Sequence, residues 1–486
     1  MVSIALAICI AGIGGLFLLN RDRTVQNSRA LWLPVAWFWI AGSRPPSVWL
    51  GAGLGITAPG EALDATLEGN SMDALIFGSL LMAGLIVLFC RRREAGACLR
   101  ANGPIVLYFS YCLASVFWSS YPGPAFKRWT KDLGDLVMVF VVLTDPHPTL
   151  AIRRLFSRVG FILLPASVFL IRYSDLGRGY DPDGNPMNIG VATNKNLLGV
   201  LAFVLGLGGL WSFLALLRAR GEIGGRRRLI AQGTFVAFAM AVLAMANSAT
   251  AAACFILGCG LIFVTGLRTV RRHPAAVHKI VLIIALAGGL TVFVGAQATV
   301  VQALGRDTNL TGRTEIWREV IPMAKNPVIG AGFESFWNEA SQTLRNRSEV
   351  YTFGNLNSAH NGYLEVYLNL GCVGVCLIAL ILVSGYMRTV AVFHGDKELG
   401  PLLISYIVTS VAYSVTEAGF RVLSPMWICL LLATAAASYH RVRSRRKVVV
   451  APNRQSKGLR SRSPREVVSL SRGHVLAATR QRLPGA

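Results

Sequence analysis

The sequence predicts an all-α, polytopic integral membrane bundle of about 12–13 transmembrane helices with one large polar loop. Three observations predict it. Of 486 residues, 53% are hydrophobic and only 15% are charged, far less charge than a soluble domain of this size carries. Mean hydropathy is +0.52. Apolar runs of roughly 17–23 residues recur along the chain, each enough for a hydrocarbon core about 30 Å thick. Such spans are helices, because backbone groups in lipid must be satisfied within the segment.

Thirteen spans are predicted, at 2–19, 30–46, 73–90, 103–119, 133–145, 157–171, 196–217, 229–246, 249–267, 280–301, 370–388, 401–417 and 424–439. The first is followed by Arg21-Asp22-Arg23 and not by small residues, so it is expected to stay as a span and not to be cleaved as a signal peptide. Loops after the odd-numbered spans are rich in arginine, with Arg21, Arg91, Arg153, Arg226, Arg271 and Arg388 among them. That bias assigns them to the cytoplasm. The connection at 47–72 holds Glu61, Asp64 and Glu68 and no Lys or Arg, as an outer loop should. The N-terminus is then outside and the C-terminus cytoplasmic. The chain divides into a first bundle segment (1–302), a large outer loop (303–369), C-terminal helices (370–440) and a basic tail (441–486).

The net charge of +24 raises the question of nucleic acid, and its placement argues against it. From Arg441 onward there are thirteen Lys/Arg against the single acid Glu466, and most of the remainder lies in short loops. The charge reports orientation and contact with anionic lipid headgroups. The tail, rich in Arg, Ser, Gly and Pro, is expected to be disordered. None of the nine cysteines falls in an outer loop, so no disulfide is expected. Cys372 and Cys376, at i and i+4, read as small buried packing residues.

Asp181-Pro182-Asp183-Gly184-Asn185 has the look of a metal-binding acidic pair. Its Pro, Gly and Asn make it a tight turn instead, and no metal is expected. No glycine-rich phosphate loop with Lys-Ser/Thr is present, so neither ATP nor another cofactor is indicated.

Of seven histidines, only His360 lies in a segment placed outside; His147, His273, His278, His394, His440 and His474 fall in cytoplasmic connections or the tail. A neutral imidazole is what a general base at neutral pH requires. Basic residues on the outer face run against the topology bias and ask for a reason. Arg313, Arg44 and Lys195 lead this set, with Arg128 in Lys127-Arg128-Trp129-Thr130-Lys131 and Arg172 behind them. Either they are ordinary charges of solvated loops or they hold an anion such as a lipid pyrophosphate, which planar guanidinium groups suit. Thr314 to Ile321 forms an amphipathic helix with its stripe at Ile316, Trp317, Val320 and Ile321. Arg313 stands just before it. Trp317 and Tyr363 are candidates for stacking on sugar rings, although aromatic anchoring at an interface is the commoner use.

Three motifs occur in order: Gly312-Arg313-x3-Trp317, then Asn326-Pro327-x2-Gly330-x-Gly332-x2-Ser335-Phe336, then His360-Asn361-x-Tyr363-Leu364-x6-Gly371-x2-Gly374. Together they resemble the O-antigen ligase and polysaccharide polymerase family. Asn194-Lys195-Asn196-x2-Gly199 and Ser43-Arg44-Pro45 look like its exopolysaccharide polymerase branch. The resemblance implies a GT-C-like, metal-independent, inverting glycosyltransferase of a bacterial inner membrane. Its donor would be a glycan on undecaprenyl pyrophosphate. Arg313 would engage the pyrophosphate and His360 would activate the acceptor hydroxyl. It further implies a chain-length regulator and a flippase of the same pathway as partners. The ligase branch carries an arginine in a serine-rich stretch where this chain has Asn247-Ser248-Ala249-Thr250-Ala251. That departure favours polymerase over ligase and leaves Lys195 or Arg172 to replace the missing charge. A flippase or transporter of a lipid-linked anionic glycan is the rival from another class. Few ionisable groups lie within the spans, which disfavours it.

Overall fold

The computed structural model describes residues 2–22, 27–51, 70–180, 184–219, 225–293, 311–347 and 357–450. The first stretch of the chain forms α1 (Val2–Leu19), α2 (Trp32–Ala41), the one-turn α3 (Pro46–Trp49) and α4 (Ser71–Cys90). Next come α5 (Arg92–Ala101) and α6 (Gly103–Ser115), then α7 (Pro122–Leu143) and α8 (Pro148–Tyr173). A small antiparallel hairpin, β1 (Arg178–Tyr180) with β2 (Pro186–Asn188), precedes α9 (Lys195–Arg218), α10 (Gly225–Ala246) and α11 (Ala249–Gly266). Short α12 (Arg268–Arg272) leads into α13 (Ala276–Phe293). The loop segment holds α14 (Thr311–Val320) and α15 (Phe336–Arg347), and the chain returns through α16 (Gly362–Gly395), α17 (Gly400–Thr416) and α18 (Pro425–Val450).

Each predicted span falls on a helix. Among the described residues seven helices are long and apolar enough to cross a membrane, or eight if α5 and the α6 segment, bent by 87°, count as one. The 280–301 span is described to Phe293. The 133–145 span is longer than expected, because α7 begins at Pro122 and carries Arg128, Lys131, Asp132 and Asp135 inward. Its carboxylates are hydrogen-bonded: Trp427 Nε1 donates to Asp132 Oδ1 and Trp37 Nε1 to Asp135 Oδ1, each at 2.7 Å. Indole partners let charges that broke the hydropathy pattern enter the bundle.

The polar contacts sort the connections into two ends. At one end Arg228 pairs with Asp22 at 2.7 Å, Arg153 pairs with Glu398, and Arg271 donates to the Lys397 carbonyl. At the other, Arg44 meets the 176–190 segment and Arg313 meets the end of α17. The loops that the charge pattern grouped on one side therefore touch one another.

The second motif has a structural explanation. α16 is kinked at Gly371, where φ is +64°. The Pro327 and Val328 carbonyls accept from Cys372 and Val373 N–H, and Leu368 and Asn369 carbonyls accept from Ala331 and Gly332 N–H. The 326–332 segment thus takes over backbone groups that the kink frees. A Cβ at Gly330 would lie 2.4 Å from Asn369 backbone and one at Gly371 2.2 Å from the Val328 carbonyl. Only glycine lets two backbones approach so closely.

Two expectations need adjustment. Cys372 and Cys376 are exposed on α16, so they do not pack inside the bundle. Helical structure continues past Tyr439 to Val450. The acidic pair Asp181 and Asp183, the outer-loop acids Glu61, Asp64 and Glu68, and the tail from residue 451 lie outside the described residues.

Candidate active site

The site is built on a small core of its own. On α14, Ile316 and Val320 pack with Phe336, Trp337, Ala340 and Leu344 of α15 and with Ala359 and Leu368. This places Arg313 on the first turn of α14, where the sequence pattern had it just ahead of the helix. Trp317 Nε1 donates to the Ala359 carbonyl at 2.8 Å. Glu365 accepts from Ala359 N–H at 2.6 Å and from Trp337 Nε1 at 2.7 Å. The residue before His360 is therefore clamped through both its backbone groups. His360 itself has φ +49°, in the left-handed region that non-glycine residues seldom occupy. Its N–H donates to Ser358 Oγ, and Asn361 caps α16 by accepting from Tyr363 and Leu364 N–H.

Glu417, at the C-cap of α17, joins the two principal candidates. Arg313 Nη2 donates to Glu417 Oε1 at 2.8 Å, and Arg313 Nη1 donates to the Thr416 carbonyl. His360 Nδ1 lies 3.3 Å from Glu417 Oε2. Asn196 Nδ2 reaches both carboxylate oxygens, at 3.3 and 3.5 Å. Burial acts to raise the Glu417 carboxyl, but the hydrogen bond and charge of His360 and the charge of Arg313 outweigh it and hold the group below its ordinary range. A carboxylate beside Nδ1 orients the ring; an imidazole that is neutral and donates from Nδ1 presents Nε2 as its acceptor. The imidazole is 35% exposed.

The other candidates are placed as follows. Lys195 is the first residue of α9, half-buried, next in sequence to Asn196. Arg44 is buried with Nη1 donating to the Gly190 carbonyl at 2.8 Å and Nη2 to that of Leu176, while its guanidinium lies over Trp49. Arg128 is buried and donates to the Glu334 carbonyl and, at 3.0 Å, to Asn338 Oδ1. Arg172 is exposed on the last turn of α8. The Tyr363 hydroxyl donates to the Val411 carbonyl at 3.1 Å, and its ring packs edge-on to Phe420. The structure thus gathers Arg313, His360 and the Asn194–Asn196 corner, while Arg44 and Arg128 tie loops to the bundle.

Sequence reasoning missed Glu417, Asn196 and the clamp residue Glu365. The available signal was slight: Glu417 is a lone acid at the end of an apolar span, 57 residues beyond His360 in the chain.

The fold defines a multi-pass α-helical membrane protein. Residues 233–379 match the model of a family described as O-Antigen ligase. That stretch includes Arg313 and His360 and stops short of Glu417. The Exopolysaccharide production protein ExoQ of Rhizobium meliloti (strain 1021) is 25% identical over 302 residues, covering 58% of this chain and 64% of its own length. The chain therefore aligns with less than two thirds of that curated relative.

Proposed function

We propose that the chain is a metal-independent, inverting glycosyltransferase of the bacterial inner membrane. It polymerises undecaprenyl-pyrophosphate-linked oligosaccharide repeats into exopolysaccharide or O-antigen at the periplasmic face. The observation that carries this reading is the single carboxylate of Glu417, which holds His360 and Arg313 together. In the transfer step His360 Nε2 takes the proton of an acceptor sugar hydroxyl. The hydroxyl oxygen forms its bond to the anomeric carbon of the donor as the bond to pyrophosphate breaks, and the electron pair leaves with the pyrophosphate. Arg313 gives one hydrogen bond each from Nη1 and Nη2 to the protein, and a guanidinium has five N–H donors in all. Those left over are available to the leaving group, which is electrostatic stabilisation of developing charge. The bundle end that carries His360 faces the periplasm in this reading.

A second reading is a ligase that moves finished glycan to an acceptor such as lipid A core; the description of the matching family supports it. One assay separates the two. Purified protein is given lipid-linked repeats without nucleotide or metal. Ladders of longer glycan are expected; transfer only to added acceptor would identify a ligase, and lipid movement across vesicles without transfer would identify a flippase. His360→Ala should lower transfer by about 10²–10⁴, the usual contribution of a general base, with the protein still folded. Full activity in that variant would remove the base assignment.

A further inference from the structure

A recess of about 180 Å³ lies between α4 and α7, lined by Trp37, Phe77, Gly78 and Leu81 on its apolar side and by Lys127 and Lys131 on the other. It is the kind of cavity that takes an amphiphile: mostly apolar, with a few charges at one margin. Its rim residues Ala74 and Phe126 are exposed, and the neighbouring face of α4 presents Leu75, Met82, Ile86 and Phe89 outward, 58–75% exposed. An apolar helix face of this kind belongs against lipid, so the recess opens sideways to the membrane. Lys127 is exposed at the mouth, and Lys131, buried, lies over the Phe77 ring with Asp73 in its neighbourhood. Asp73 is itself engaged by Ser47 N–H and hydroxyl at 2.8 and 2.7 Å.

The recess is on the same end of the bundle as His360. Arg128, between the two lysines, reaches Glu334 and Asn338; the adjoining Trp337 donates to Glu365, which in turn holds Ala359. Polymerisation needs two lipid-anchored substrates in each cycle, and the Arg313 cluster accounts for the charge of one. Resting on the polymerase reading, we propose that the recess between α4 and α7 is the seat of the second lipid anchor, with its isoprenoid chain against Phe77, Gly78 and Leu81 and its pyrophosphate on Lys127 and Lys131; undecaprenyl phosphate serves as the binding probe for it. Lysine ammonium groups serve phosphate as compact point charges, and basic groups at the membrane surface favour anionic lipids.

Gly78 gives a clean test. A Cβ there meets nothing within 4 Å, so Gly78→Phe fills the recess without forcing the backbone. Binding of undecaprenyl phosphate to the full-length protein in detergent is measured by native mass spectrometry, with phosphatidylglycerol as competitor. Wild type is expected to prefer the polyprenyl phosphate. Gly78→Phe and Lys127→Ala should each weaken its binding roughly ten-fold, the scale of one charge-assisted contact, and should raise the KM for lipid-linked acceptor while kcat at saturation holds. Equal binding of phosphatidylglycerol, or unchanged binding in Gly78→Phe, would overturn the proposal. Because binding is read without turnover, a wild-type protein that binds the lipid but makes no ladders would sink the polymerase reading and leave the recess standing.

Discussion

Two glutamates near the loop end of the bundle meet similar degrees of burial and opposite fates. Glu417 has 8% of its side chain exposed and Glu334 15%. Glu417 accepts from Arg313, His360 and Asn196 within 2.8–3.5 Å and stays below its ordinary range. Glu334 has Arg421 Nε at 4.0 Å, too far for a hydrogen bond. Burial pushes its carboxyl up, Arg421 opposes that, and the nearby Glu365 adds to it. Glu334 also has φ +49°, and it lines a small cavity of about 20 Å³ with Glu365, Asn369, Phe420 and Arg421. Burial by itself therefore does not decide the state of an acid here; the number and distance of its donors do. Glu417 keeps its charge among three donors, whereas Glu334, with Arg421 at 4.0 Å, lacks that support.

The largest effect on this contrast should come from breaking the first cluster. Glu417→Ala leaves Arg313 facing an empty carboxylate site and frees the His360 ring. Arg313 is 23% exposed, so the loss lies between an exposed and a buried ion pair, about 2 kcal/mol by thermal or denaturant unfolding. Transfer should fall about 10²-fold, since the base is no longer oriented. A Glu417→Ala protein with wild-type turnover would show that the carboxylate is structural only.

Isosteric replacements sharpen the comparison. For Glu417, whose folded value is depressed, the stabilisation is present above the unfolded value of about 4.3 and is lost as pH falls through the folded value. Glu417→Gln should therefore lower Tm at neutral pH, and the deficit should fade in acid. For Glu334 the sign reverses. Its folded value is raised, so ionisation costs stability at neutral pH, and that cost disappears as pH falls towards the unfolded value. Glu334→Gln should raise Tm at pH 7–8 by an amount that shrinks in acid. A rise in Tm in both variants would mean that burial dominates at both sites, and a fall in both that the surrounding donors do.

How much of this was legible beforehand differs by element. Spans and the two ends were legible because lipid permits few solutions and charge marks the loops. Arg313 and His360 were legible as members of ordered motifs. Glu417 was not, because its meaning depends on α17 ending beside the His360 turn, a contact between segments separated by α16 and α17 themselves. Arg44 and Arg128 show the reverse limit. The sequence marks them as basic residues near helix ends, but it does not reveal that backbone carbonyls and Asn338 will accept from them. The short reading of α7 failed for a related reason: Trp37 and Trp427, distant in sequence, supply the donors that let its aspartates sit inside.

The smallest expected effect tests how His360 is held from the other side. Trp317 was a candidate for sugar stacking, yet its indole N–H is committed to the Ala359 carbonyl. Trp317→Phe keeps most of the ring and removes that one donor. A neutral hydrogen bond of this kind is worth about 1 kcal/mol, so stability should fall by that order and kcat by several-fold, through a loosened His360 turn. The KM for donor and acceptor should scarcely move. A rise in KM at constant kcat would be the signature of a sugar platform, and would return Trp317 to a binding role while leaving the Glu417 side of the site intact.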